Sequence, residues 1–127
     1  MKVFVLFFCL ISLSCIAQDS IAQTKGKVYY GIASFYSKAL QNSKTATGER
    51  YTHEKLTGAS NNVKLGTWVR VTNLKNKKVV IVRINDRMHT RMAKKGRVVD
   101  LSRSAAEALG FIKKGVIKVK MEVIPAQ

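Results

Sequence analysis

The sequence predicts an all-β domain: a closed sheet, barrel or sandwich, with one small helix. Three observations carry this. Several short segments alternate apolar and polar residues with a period of two, one segment alone has strong helix marks, and many short strands around so little helix can bury a core only by closing on themselves. Residues 28–36 (VYYGIASFY) are rich in β-branched and aromatic side chains and read as the first strand, with Gly31 marking a bulge or a close backbone approach. Residues 67–72 (TWVRVT) set Val69 and Val71 on one face against Trp68, Arg70 and Thr72, which is a half-buried strand. Residues 78–84 (KVVIVRI) complete a hairpin with it, and Asn76 is the residue most able to take the left-handed turn conformation. The helix falls at 102–109 (SRSAAEAL), where Ser104 and Glu107 have capping-box spacing and Gly110 supplies the stop. Residues 116–124 (VIKVKMEVI) alternate again and close the domain as a strand.

The N-terminus reads as a cleavable export signal. Lys2 precedes an uncharged apolar run over 3–17, shorter than the roughly 20 residues a membrane-spanning helix needs, and Gln18, Asp19 and Ser20 end it. Cys15 and Ala17 are the small residues at −3 and −1, so cleavage fits best after Ala17. Ser12-Leu13-Ser14-Cys15 also loosely resembles a lipobox, which makes a lipid anchor at Cys15 the alternative. Residues 18–27 are a polar tether and 28–127 form one domain. The only cysteines, Cys9 and Cys15, lie in the signal, so the domain must hold by its apolar core without a disulfide. The mature chain has no transmembrane helix, and a monomer in the periplasm or cell envelope is expected.

The formal charge of +16 implies a polyanionic partner. Inside a cell that would be nucleic acid. The export signal and the lack of an aromatic ladder turn the expectation away from nucleic acid and toward envelope polymers such as peptidoglycan.

Familiar sites are missing. There is no Gly-rich phosphate loop, no Cys or His pair at metal spacing and no nucleophile elbow, so no metal or cofactor is expected. What remains is a sparse set of carboxylates in a basic chain. Asp86 ends an apolar run in Asn85-Asp86-Arg87, at the rim of a sheet. A carboxyl group emerging from a dry wall has its ionised form disfavoured by desolvation, which suits a general acid, while Arg83 and Arg87 would oppose this. The same aspartate also reads as a turn cap accepting backbone N–H bonds. Glu49 sits in a turn-rich segment and by itself reads as solvent-facing. Asp100 precedes Ser102 at the helix start, where a carboxylate accepts N–H bonds and complements the helix dipole.

Six blocks, 31–36 (GIASFY), 44–49 (KTATGE), 56–60 (LTGAS), 65–74 (LGTWVRVTNL), 82–87 (VRINDR) and 96–102 (GRVVDLS), resemble the successive signatures of the RlpA family in order and spacing. The resemblance implies a six-stranded double-psi β-barrel, related to the barrel of expansins and endoglucanases. It implies endolytic cleavage of the MurNAc–GlcNAc bond of peptidoglycan glycan strands, with 1,6-anhydro ends and a preference for strands stripped of stem peptides. Asp86 matches the family's catalytic aspartate and Glu49 its second essential carboxylate. One acid/base working twice suffices, since the sugar's own C6 hydroxyl attacks C1; Asp86 takes that role, and Glu49 orients the sugar or stabilises oxocarbenium charge. Tyr36 matches a groove aromatic that could stack on a sugar. Thr45, Ser60, Asn85 and Arg87 are the further substrate-binding positions, and Asp100 is a structural motif residue.

The sequence departs from the family pattern in three places. Ser60 stands where many members have a histidine, so the hydroxyl must take that role or the role is absent. Met88-His89 replaces the usual Gly-Pro in a loop running to Lys95, and His89 reads as an exposed loop residue rather than a substitute imidazole. The chain ends at Gln127 without the SPOR domain of many members, so wall affinity is expected from the barrel and its charge. The alternative function is a non-catalytic, expansin-like module that grips wall polymer.

Overall fold

Six strands close into a barrel in the computed structural model, which describes residues 26–127. The expected signal at 1–17, Cys15 and nearly all of the 18–27 tether lie outside the described residues. The strands are β1 (Val28–Phe35), β2 (Thr57–Ala59), β3 (Trp68–Asn73), β4 (Val79–Asp86), β5 (Arg97–Leu101) and β6 (Ile117–Ile124). Two short helices, α1 (Thr90–Lys94) and α2 (Arg103–Leu109), and a 3₁₀ turn at Lys38–Leu40 complete the elements. Around the barrel the order is β1-β5-β2-β4-β3-β6, returning to β1. The pairs β1–β5 and β2–β4 are parallel; the other pairs are antiparallel.

The alternating segments of β3 and β6 place their apolar faces as expected, and β4 and β5 join them. Val69 and Val71 of β3, Val82 and Ile84 of β4, Val99 and Leu101 of β5, and Val119 and Met121 of β6 are fully buried in one core. Helix α2 covers that core with Ala105, Ala106 and Leu109, joined by Phe111. Each such aliphatic side chain contributes on the order of 1.5–3 kcal/mol by leaving water. Gly31 is a place of close approach: a Cβ there would lie 2.5 Å from Val98 Cγ1 and 2.7 Å from the Gly96 carbonyl. The β1–β5 register shifts just beyond it, between Ile32 and Ala33.

Several local expectations need correction. The left-handed residue of the β3–β4 hairpin is Lys77 (φ 64°), not Asn76. Asn76 is engaged otherwise: its Oδ1 accepts from the Lys78 N–H and its Nδ2 donates to the Leu109 carbonyl, tying the hairpin to the end of α2. The N-cap of α2 is Ser102, whose Oγ accepts from the Ala105 N–H, so the Ser104–Glu107 capping box does not form. Ser104 lies two residues past the cap and donates to the His53 carbonyl at 2.6 Å. Gly110 ends the helix in the left-handed conformation, as expected. The segment expected as a loop from Met88 to Lys95 contains α1, capped by His89 Nδ1 accepting from the Arg91 N–H.

Candidate active site

The register of four strands builds one row of side chains. Asp86 of β4 pairs with Ala59 of β2, Ala59 with Asp100 of β5, and Asp100 with Ser34 of β1. Along β2 the partners step from Ile84 to Asp86, so Asn85 is an extra residue, a bulge. Ile84 points into the core, and in a regular strand Asp86 would follow it there; the extra residue turns Asp86 to the outer face instead. Asp100 lies on that face too, since Val99 and Leu101 on either side of it are in the core.

Asp86 is partly exposed and accepts hydrogen bonds at both oxygens. Oδ1 receives the backbone N–H groups of Ala46 and Arg87, each at 2.9 Å, and Oδ2 receives the Tyr36 phenol at 2.5 Å. The expectation of a sugar-stacking Tyr36 is corrected: the ring is 5% exposed and stacks on Tyr51 with centroids 4.0 Å apart. Burial, then the hydrogen bond to Asp86, push the phenol well above the ordinary tyrosine range, so it remains a donor. Tyr51 is fixed in turn through its hydroxyl, 2.7 Å from His53 Nδ1, and accepts from the Arg103 N–H.

Glu49 arrives on a tight loop fastened to β4 at three points. The Ala46 N–H bonds Asp86, the Thr47 N–H bonds the Asn85 carbonyl, and Glu49 Oε2 pairs with Arg83 Nη2 at 2.6 Å. Thr47 Oγ1 donates to the other Glu49 oxygen at 3.0 Å. The Arg83 hydrogen bond holds the Glu49 carboxyl below its ordinary range, so the group is ionised. Arg83 therefore serves Glu49, not Asp86 as the sequence implied.

Asp100 does not cap α2. It sits within β5, where Oδ1 accepts from Ser34 Oγ at 2.9 Å. Burial raises its pKa above the ordinary aspartate value; the Ser34 bond and the charge of Arg97 oppose this, and the charge of Asp86 adds to it.

The other expected binding residues serve the frame. Ser60 is fully buried and donates to the Val98 carbonyl at 2.7 Å, so its hydroxyl cannot stand in for a site histidine. Thr45 is buried and donates to the Glu49 carbonyl, shaping the loop. The Arg87 guanidinium binds the Ser60 and Val63 carbonyls. Asn85 is 2% exposed, and its Oδ1 has no hydrogen-bond partner among the described residues. His89 is spent on capping α1. Arg83 and Tyr51, which hold Glu49 and Tyr36, were not identifiable as site partners from spacing, because both contacts cross between distant segments. Among the described residues no three His, Cys, Asp or Glu side chains gather as a metal site.

A closed six-stranded barrel of mixed pairing, with Asp86 at the end of β4, Asp100 on β5 two strands away and Glu49 on a loop fastened to β4, defines a double-psi β-barrel protein with an acidic rim. Solved structures agree on the fold. The Streptomyces papain inhibitor superposes with a TM-score of 0.63 at 19% identity, covering 79% of this chain and 96% of the inhibitor. The expansin of Clavibacter michiganensis gives 0.60 at 24% identity, covering 80% of this chain and 53% of the expansin. The family model described as lytic transglycolase matches residues 28–121, and the chain belongs to that family. It is 45% identical over 102 residues to the endolytic peptidoglycan transglycosylase RlpA of Pasteurella multocida, covering 80% of this chain and 34% of the relative. The probable endolytic peptidoglycan transglycosylase RlpA of a Nostoc species is 48% identical over 99 residues, covering 76% and 26%. The RlpA of Neisseria meningitidis serogroup A is 42% identical over 100 residues, covering 76% and 40%. The chain thus spans between 26% and 40% of the length of these curated relatives.

Proposed function

We propose that the domain is exported to the cell envelope, where it cuts peptidoglycan glycan strands endolytically at the MurNAc–GlcNAc bond and leaves 1,6-anhydroMurNAc ends. The observation that carries this reading is the fastening of the Glu49 loop to β4, which sets Glu49 and Asp86 on one rim, each partly open to solvent. Relatives named for this activity share 42–48% identity with the domain. The net charge of +16 suits a polyanionic wall.

The reaction needs a proton on the departing oxygen, stabilisation of positive charge at C1, and removal of the proton from the attacking C6 hydroxyl. No water enters. Glu49, ionised beside Arg83, suits the second task. Asp86 works at the reacting atoms: both lone-pair positions of Oδ1 are taken by N–H groups, whereas Oδ2 has only the Tyr36 bond and keeps a position for a proton in transit.

Digestion of purified sacculi, with mass spectrometry of the soluble products, tests this. Anhydro-muropeptides from the wild type, and none from Asp86→Asn or Glu49→Gln, are the expected result. Retention on sacculi without any anhydro product would reject it in favour of a wall-gripping module.

A further inference from the structure

The β3–β4 hairpin and the segment leading from α2 into β6 form one surface. The Leu74 N–H bonds the Lys118 carbonyl at 3.2 Å, and the side-chain amides of Asn73 and Asn76 both donate to the Leu109 carbonyl. Residues 74–78 and 110–118, which make up this surface, carry no carboxylate. They carry Lys75, Lys77 and Lys78 on the hairpin, and Lys113, Lys114 and Lys118 on the other segment. All of these lysines are exposed, and among the described residues none of them forms an ion pair. The same surface holds a cleft of about 480 Å³, lined by Ile32, Leu74, Val116 and Ile117 together with three of the lysines, Lys75, Lys114 and Lys118. Val116 is 40% exposed, so apolar surface of the cleft stands in water. Apolar lining beside unpaired cations asks for a ligand that has both a hydrocarbon chain and an anion. A glycan strand or a nucleic acid would meet the lysines and leave the cleft unused, whereas an acyl chain beneath an anionic headgroup meets both.

We propose that this surface seats the domain on an anionic lipid bilayer, with an acyl chain in the cleft and headgroup phosphates on Lys75, Lys114 and Lys118. Lysine suits the task, because its four-carbon stem lies along apolar surface while its ammonium reaches the phosphate layer. The backbone bonds between the two segments hold the lysines in place before any lipid arrives, and the Gly115 N–H, bonded to the Phe111 carbonyl at 2.9 Å, closes the turn that carries Lys113 and Lys114. The hairpin lysines stand at the start of β4, whereas Asp86 ends that strand, roughly 20 Å further along it. A bilayer seated on the hairpin therefore leaves the Asp86 rim open to a glycan strand. Lipid binding by this surface needs no turnover, so it stands or falls apart from the reading of the domain as a transglycosylase.

The test titrates the whole chain with phosphatidylcholine vesicles containing about one-third phosphatidylglycerol, and with vesicles of phosphatidylcholine alone. The triple variant Lys75→Gln/Lys114→Gln/Lys118→Gln is titrated in the same chain, so whatever residues 1–25 contribute is common to both proteins. Each lysine near an anionic surface is worth about fivefold in affinity, so the triple variant is expected to bind the anionic vesicles about 100-fold more weakly. On phosphatidylcholine alone the two proteins should agree, and salt at about 0.5 M should remove most of the difference. Val116→Ser, at an exposed position, is expected to weaken anionic-vesicle binding several-fold with the thermal melt unchanged. Equal binding of wild type and the triple variant to anionic vesicles would overturn the proposal. So would a Val116→Ser protein that binds as wild type, since the acyl chain would then not occupy the cleft. Retention on lipid-free sacculi supplies the contrast: a loss there as large as on vesicles would assign the lysines to wall polymer and end the proposal. Absence of anhydro product from the wild type would reject the transglycosylase reading and leave the vesicle result untouched.

Discussion

The Tyr36 phenol and Asp86 Oδ2 are joined at 2.5 Å across 50 residues of chain, and this bond orients the carboxyl group that lies nearest the Glu49 loop. The donor ring is itself immobilised by its stack on Tyr51. Tyr36→Phe keeps the stack and removes only the hydroxyl. A hydrogen bond to a charged group is worth about 1.5–3 kcal/mol, so the rate of sacculus digestion is expected to fall roughly 10- to 100-fold with little change in thermal midpoint. A rate within twofold of wild type would show that the phenol does not orient Asp86.

The Arg83–Glu49 pair should show in stability as well as in rate. Both side chains are about a third exposed, 29% and 34%, so solvent screening limits the pair to about 1 kcal/mol or less. Glu49 has a folded pKa below its ordinary 4.5, so the contribution is complete above that value and is lost as pH falls through the depressed folded value. Urea unfolding of wild type and Arg83→Met at pH 7 and at pH 3 should show a difference at pH 7 that shrinks toward zero at pH 3. A constant difference would mean that Arg83 acts by packing alone.

Ser102 and Glu107 separate two accounts of the α2 start. Ser102→Ala removes the hydroxyl that accepts from Ala105 and should cost about 1 kcal/mol in chemical unfolding. Glu107→Ala should leave stability within about 0.5 kcal/mol, because the carboxylate caps nothing and is exposed. The reverse order would restore the capping box.

Gly31→Ala would press a methyl group into Val98 and the Gly96 carbonyl, and the backbone oxygen has no easy retreat. A loss of about 1–3 kcal/mol in urea unfolding is expected, the range of an overpacked core. A neutral result would mean that β1 and β5 slide apart freely at the bulge.

The legible parts of the fold were those governed by neighbours in the chain. β1, the β3–β4 hairpin and β6 declare themselves through two-residue alternation, and α2 through its Ala-rich run and Gly110. β2 and β5 did not. β2 is only three residues long, all of them buried, and β5 runs buried-buried at Val98 and Val99 because Val98 is the extra residue of a bulge in β5. Without those two strands the row from Asp86 to Ser34 cannot be drawn, so Asp100 looked like a helix cap. Motif resemblance marked Asp86 and Glu49, and Arg83 was visible only as a nearby charge. Its choice of Glu49 over Asp86 depends on how a loop from 34 residues earlier folds over β4, which no local pattern encodes.

The first strand is bonded to the last two, with Val28 opposite Glu122 and Phe35 opposite Leu101. Closure therefore waits for β6, and the strands before it form an open, unringed sheet until it is in place. A version truncated before β6 should remain unable to complete the ring, however long it is left.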